Sequence, residues 1–158
     1  MSKERLDKII ASSGLSTRRF AFEAFLPSDK KERQAVLAEL VNETRTIILY
    51  EAPHRLITTL NELLEVLGNR KMTLCRELTK KHETAFASTI HDILKFYETQ
   101  EPKGECVLVI EGKSREELVL EERARFEEMT IEEHMDIYLK QGMDKKEAMK
   151  AVAKDRGV

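Results

Sequence analysis

The sequence predicts an α/β domain, a β-sheet flanked by helices, followed by a small, partial α-helical appendage. Three observations carry that expectation. Thr46–Tyr50, Lys71–Cys75 and Cys106–Ile110 are short apolar runs without alternation, as strands covered on both faces require. Leu56, Leu60, Leu63, Leu64 and Leu67 recur at helical spacing directly after the first run, which makes a strand, a tight turn and a packed helix. Beyond Lys113 the composition becomes strongly charged and helix-start signals replace strand signals.

The chain has 158 residues, enough for a domain of about 110 residues with its own core plus an appendage. Its 27 Lys and Arg against 29 Asp and Glu leave a net charge of −2, so no global field recruits nucleic acid or membrane and any RNA contact must be local. No apolar stretch approaches bilayer length, and charges occupy the place of a signal peptide's apolar core, so a cytoplasmic location with no membrane partner is expected. Cys75 and Cys106 each lie inside an apolar run without CxxC spacing, which reads as reduced core thiols and no metal site.

In chain order, Leu6, Ile9 and Ile10 followed by Gly14 predict a short helix and its stop. Arg5-Leu-Asp-Lys8, Ser13-Gly-Leu15 and Ser16-Thr-Arg-Arg19 resemble the start of an S4 RNA-binding domain, but the likeness ends at Arg19. Phe20-Ala-Phe22-Glu-Ala-Phe25-Leu-Pro27 then alternates with the period of a strand. Residues 1–19 are thus expected to form an N-terminal helix and turn, either S4-like or non-native to the domain that follows. Asp29 and Glu32 have capping-box spacing, and Val36, Leu37, Leu40 and Val41 form the stripe of the next helix. Lys30, Lys31 and Arg33 crowd its first turn, where the macrodipole disfavours cations; they read as a solvated face or as phosphate contacts. Gly68 closes the leucine-rich helix, Thr84–Ser88 reads as a return strand, and Thr89 caps a helix carrying Ile90, Ile93, Leu94 and Tyr97.

Residues 20–113 form the expected α/β domain and 114–129 a charged linker or helix. Residues 130–158 read as two capped helices, the first part of a helix-turn-helix-like unit whose apolar stripe (Ile131, Met135, Ile137, Met143, Ala148, Met149, Val152) has little to bury against.

Candidate chemistry collects where strands end. The three apolar runs finish in Tyr50-Glu51, Arg76-Glu77 and Glu111-Gly112, which suggests one crevice at strand carboxyl ends, where α/β sheets bind ligands. His82 beside Glu83 offers a general base, and Arg76, Lys80 and Lys81 offer phosphate contacts, each with a solvated surface as the plain alternative. No GxGxxG loop, Walker loop or Gly-x-Ser-x-Gly elbow is present.

Four motifs occur in order: Arg19-Phe-Ala-Phe-Glu-Ala-Phe-Leu-Pro27, Arg45-Thr46 through Tyr50-Glu-Ala-Pro-His-Arg55, Arg76-Glu-Leu-Thr-Lys-Lys-His-Glu83, and Gly104-Glu-Cys-Val-Leu-Val-Ile-Glu-Gly112. Together they resemble the C-terminal half of the bacterial small-subunit ribosomal RNA cytidine 2′-O-methyltransferases, within the tetrapyrrole-methylase superfamily. The resemblance implies a mixed β-sheet, S-adenosylmethionine held between two domains of which this chain carries one (a half-site), and small-subunit ribosomal RNA as substrate. By motif position it implies cofactor contacts at Tyr50, Glu51, Arg76, Glu77, Leu78, Ile110 and Glu111. Methyl transfer to a 2′-hydroxyl needs a base and phosphate contacts, and the segment 78–83 is the expected source, with Glu83 or His82 as base and Arg55, Lys80 and Lys81 as RNA contacts. The implied partner is an N-terminal methylase domain; with that domain's surface uncovered, a homo-oligomer is expected and the fragment should be inactive alone. A non-catalytic RNA-binding or assembly module is the alternative.

Overall fold

The computed structural model describes residues 3–16, 18–76 and 84–158. The chain divides into two compact units, residues 1–113 and 114–158. Among the described residues the first unit holds a five-stranded sheet in the order β1-β2-β5-β3-β4: β1 (Phe20–Phe25), β2 (Thr46–Glu51), β3 (Lys71–Arg76), β4 (Thr84–Thr89) and β5 (Cys106–Ile110). The sheet is mixed: β1 runs parallel to β2, and the other three pairings are antiparallel.

One sheet face carries α2 (Lys30–Leu40), α3 (Leu56–Leu67) and α4 (Ile90–Phe96). Leu56, Leu60 and Leu63 of α3 lie in one core with Leu37, Leu40, Ile47, Leu49, Leu74, Ile93 and Leu108. Each such side chain contributes about 1.5–3 kcal/mol by leaving water. Asp29 caps α2 by accepting from the backbone N–H of Lys31 and Glu32, and Thr89 caps α4 through Asp92. Gly68 ends α3 at φ 78°, where a β-carbon would be strained. The opposite face is covered by α1 (Lys3–Ser13), whose Ile9 and Ile10 pack on Ile48, Cys75, Val107 and Val109. The opening helix is therefore part of this unit's second layer. Both cysteines are buried as thiols, with no disulfide between them.

The second unit contains three helices, α5 (Arg115–Glu128), α6 (Ile131–Lys140) and α7 (Lys145–Arg156), each opened by a capping box. The charged stretch after Lys113 is thus helical, and it supplies the third helix that a two-helix appendage lacked. Its core also departs from the expected stripe, of which Ala148 and Val152 are buried while Ile131, Met143 and Met149 are exposed. The centre is His134, which is fully buried. It stacks on Phe126 with ring centroids 4.0 Å apart. The His134 Nε2 lies 3.2 Å from Asp155 Oδ2, Arg156 Nε donates to Nδ1 at 3.2 Å, and Tyr138 donates to Asp155. With Nδ1 accepting, the imidazole carries its proton on Nε2. The hydrogen bond to Asp155 also pushes the Tyr138 phenol up to about 12.

Among the described residues no helix is long and apolar enough to cross a membrane, and no group of three or more His, Cys, Asp or Glu is placed to hold a metal ion.

Candidate functional site

Phe25 pairs with Tyr50, and Glu51 and Arg76 both pair with Cys106, so the C-terminal ends of β1, β2 and β3 meet at one edge of the sheet. Tyr50, Glu51 and Arg76 are brought together there as expected. Ile110 and Glu111 are not. β5 runs antiparallel to both neighbours, so Ile110 pairs with Ile47 and Met72 at the far end. Glu111 lies there too, its N–H donating to Lys71 O and its carbonyl accepting from Arg70. A β-carbon on the adjacent Gly112 would lie 2.4 Å from Thr44 O, so this glycine answers a close backbone approach. The strand that contributes to the shared edge does so with its beginning, Cys106.

Glu51 is only 3% exposed. Its Oε1 accepts from its neighbour Ala52 N at 2.8 Å, and its Oε2 accepts from Thr59 Oγ1 at 2.5 Å. Arg33 Nη2 donates to the same Thr59 hydroxyl at 2.6 Å and stands 4.0 Å from Glu51, while Arg33 Nε donates to Glu62 at 2.7 Å. The carboxylate is therefore consumed in joining the strand-to-helix turn to α2 and α3, and a ligand at this edge would meet the backbone of Glu51 in place of its side chain. Arg33, read as a solvated or phosphate-binding cation, is buried instead, and its Nη1 has no hydrogen-bond partner among the described residues. It lines a 580 Å³ groove between α2 and α3, where Lys30 and Arg33 are offset by Glu62 and Glu65. That balance gives the groove no attraction for phosphate.

The exposed material at the edge is aromatic. Phe22 and Phe25 stand edge-on to Tyr50 at 5.3 Å and 5.5 Å, and they are 46% and 54% exposed. A bulge between Phe22 and Ala24, with Ala24 at φ 54°, puts both phenylalanines beside Tyr50 although they are three residues apart. Sequence periodicity missed this pair because a bulge is invisible in an alternating run; the spacing of Phe22 and Phe25, odd for one strand face, was the available signal. Such rings suit the flat face of a purine or another aromatic heterocycle.

Arg76, partly exposed, ends β3. Burial pushes the nearby Tyr97 phenol up, and the Arg76 charge works against that shift. Burial also pushes the Cys106 thiol up to about 11, which removes it as a nucleophile near neutral pH. Arg55 is half-buried in the Pro53–Arg55 turn that leads from this edge into α3. Glu77, Leu78, Lys80, Lys81, His82 and Glu83 lie outside the described residues.

A family model described as Tetrapyrrole (Corrin/Porphyrin) Methylases matches residues 6–94, more than half of the chain. The chain belongs to that family. Among its tetrapyrrole-methylase relatives, the ribosomal RNA small subunit methyltransferase I of Bacillus subtilis (strain 168) is 41% identical over 149 residues, 94% of this chain and 51% of that protein. The protein of the same name from Synechocystis sp. is 40% identical over 147 residues, 92% of this chain and 51% of that one. The Thermotoga maritima protein is 37% identical over 108 residues, 68% and 48% respectively. The chain spans about half the length of the curated relatives it matches. Among solved structures, a cobalt precorrin-4 methyltransferase of cobalamin biosynthesis aligns at a TM-score of 0.48 and 15% identity, covering 67% of this chain and 48% of that one.

Proposed function

We propose that this chain supplies one wall of the methyl-donor cleft of a small-subunit ribosomal RNA methyltransferase, acting on a cytidine ribose 2′-hydroxyl. The observation that carries the reading is the 41% identity, sustained over 94% of the chain, to a protein named ribosomal RNA small subunit methyltransferase I. S-adenosylmethionine, when bound, supplies a sulfonium-activated methyl group. What this chain must do is hold, orient and deprotonate.

Tyr50 with Phe22 and Phe25 presents apolar ring surface for the adenine side of the donor, and the strand-end backbone at Glu51 and Arg76 offers hydrogen-bonding groups to its edge; Glu77 and Leu78, next in the sequence, are further contacts in this reading. The aromatic corner fits such a group; the carboxylate of Glu51 does not, since its oxygens are already paired. Glu83 or His82 takes the proton that the ribose 2′-oxygen loses, and Arg55, Lys80 and Lys81 hold neighbouring phosphates. The setting we propose is the cytoplasm. Phe22, Phe25 and the exposed Phe86 leave apolar surface for a further chain, either the remaining methylase half or a second copy.

Isothermal titration with S-adenosylmethionine tests the half-site. The chain alone should bind at least about tenfold more weakly than a chimaera in which it replaces the matching part of the Bacillus subtilis relative, since burying only one side of a ligand forfeits more than about 1.4 kcal/mol. Equal affinity would show that one half suffices and overturn the shared-cleft reading.

A further inference from the structure

We propose that the outer face of α7 is a docking surface for the phosphate backbone of RNA. The choice of RNA as the polyanion rests on the functional reading above; the surface itself is read from the second unit alone.

Charge in that unit is segregated by helix. α7 carries five basic residues against two acidic ones, whereas α5 carries six acidic against three basic and α6 three acidic against one. The inward residues of α7 are accounted for: Ala148 and Val152 are buried, Asp155 binds His134 and Tyr138, and Arg156 donates to His134 and to Met129 O. Lys146, Lys150 and Lys154 follow at intervals of four on the opposite side, all exposed.

An ordinary solvated helix face places carboxylates four residues from its lysines, whereas like charges at that spacing are destabilising. Here lysine follows lysine. Glu147, the one exposed acid on α7, spends its carboxylate on the N–H of Asp144 in the capping box. Lys145, Lys146, Lys150 and Lys154 make no ion pair among the described residues. A row of uncompensated ammonium groups on a rigid helix is relieved by a polyanion. Lysines act as point charges and an A-form major groove is too narrow for a helix, so the contact is to phosphates and carries no sequence readout.

The test is fluorescence anisotropy of a fluorescein-labelled RNA stem-loop with the whole chain, titrated with KCl. The affinity should fall linearly with salt on logarithmic axes. Lys146→Gln with Lys150→Gln should weaken binding and shallow that slope by about 1.4–1.8, at roughly 0.7–0.9 for each phosphate no longer neutralised. Lys146→Arg with Lys150→Arg should restore the slope. Lys95→Gln with Lys103→Gln, in the first unit, should change neither, and a scrambled stem-loop should bind equally well. Unchanged affinity and slope in the Lys146/Lys150 glutamine variant, or no RNA binding by the whole chain, would overturn the proposal. Displacement of the RNA by polyglutamate at equal charge would also overturn it, in favour of an acidic protein partner. Methyl transfer by the chimaera with the Bacillus subtilis relative is a separate readout: methylation by that chimaera together with a silent lysine pair removes only this surface, whereas a salt-dependent RNA complex of a folded, donor-binding chimaera without methylation removes only the enzyme reading.

Discussion

Thr59 donates a 2.5 Å hydrogen bond to Glu51 and accepts one of 2.6 Å from Arg33, so the carboxylate at the end of β2 is tied down from beneath by α3 and α2. The residue that looks most like a ligand contact is thereby a structural one, and its neighbours Tyr50 and Phe25 face outward.

Thr59→Val removes a hydroxyl that serves two buried charges, which should cost about 1–3 kcal/mol. Glu51→Ala takes the acceptor from Thr59 and leaves Arg33 with Glu62 and Thr59, and should also cost about 1–3 kcal/mol. Urea unfolding midpoints at constant slope measure both. Should Glu51→Ala retain full stability and abolish donor binding, the carboxylate would return to the set of ligand contacts.

The loop between α2 and β2 sets an acid limb. Arg45 donates to both oxygens of Glu43, at 2.8 Å and 3.0 Å. This holds the Glu43 carboxyl down at about 2, against an ordinary 4.5. A carboxyl depressed in the folded state binds fewer protons there than in the unfolded chain. Its contribution is therefore complete above pH 4.5 and is lost as pH falls toward 2. Arg45 is 41% exposed, so solvent screening limits the contribution to about 1 kcal/mol or less. Glu43→Gln should remove that increment at pH 6 and narrow its deficit against the wild type by pH 2.5, as followed by thermal unfolding. A pH-independent difference would contradict the assignment.

In the second unit, His134→Ala removes a fully buried ring stacked on Phe126 and strips partners from Asp155 and Arg156. The expected loss is about 3 kcal/mol, from the cavity and the unpaired polar groups. Amide hydrogen exchange should show faster exchange across residues 114–158 while β2 and β5 keep their protection. Unaltered exchange in α6 and α7 would mean the ring is not what holds them.

Much of the first unit was legible because its patterns are periodic. The leucines of α3, the capping residues Asp29 and Thr89 and the unbroken runs of β2 and β3 each match one local structure. The run Cys106–Ile110 marked a strand but not its direction, since an apolar run reads the same either way, and that misplaced Ile110 and Glu111. Arg33 and His134 escaped for a related reason. Polar residues interrupt a hydrophobic stripe, and only their partners, Thr59 and Glu62 for one and Asp155 and Arg156 for the other, make them core residues. Of the candidate site, Tyr50 and Arg76 were correctly placed at a shared edge, while the bulge that adds Phe22 and Phe25 had no periodic signature.

Phe25→Ala should leave stability within about 0.5 kcal/mol, because the ring is 54% exposed. In the chimaera with the Bacillus subtilis relative it should weaken S-adenosylmethionine binding about tenfold, the worth of one aromatic contact of roughly 1.4 kcal/mol. Calorimetry reads the affinity and thermal unfolding the stability; an unchanged affinity would remove Phe25 from the cleft.

Methyl transfer by the chimaera decides whether this chain forms one wall of a methyl-donor cleft. The chimaera is incubated with S-adenosylmethionine carrying a labelled methyl group and with small-subunit ribosomal RNA, and the methylated nucleotide is identified by mass spectrometry. The expected result is one 2′-O-methylated cytidine, absent with this chain alone and lost on combining Glu83→Ala with His82→Ala. A folded chimaera that binds the donor yet leaves the ribosomal RNA unmethylated would mean that this chain is not part of a ribosomal RNA methyltransferase cleft.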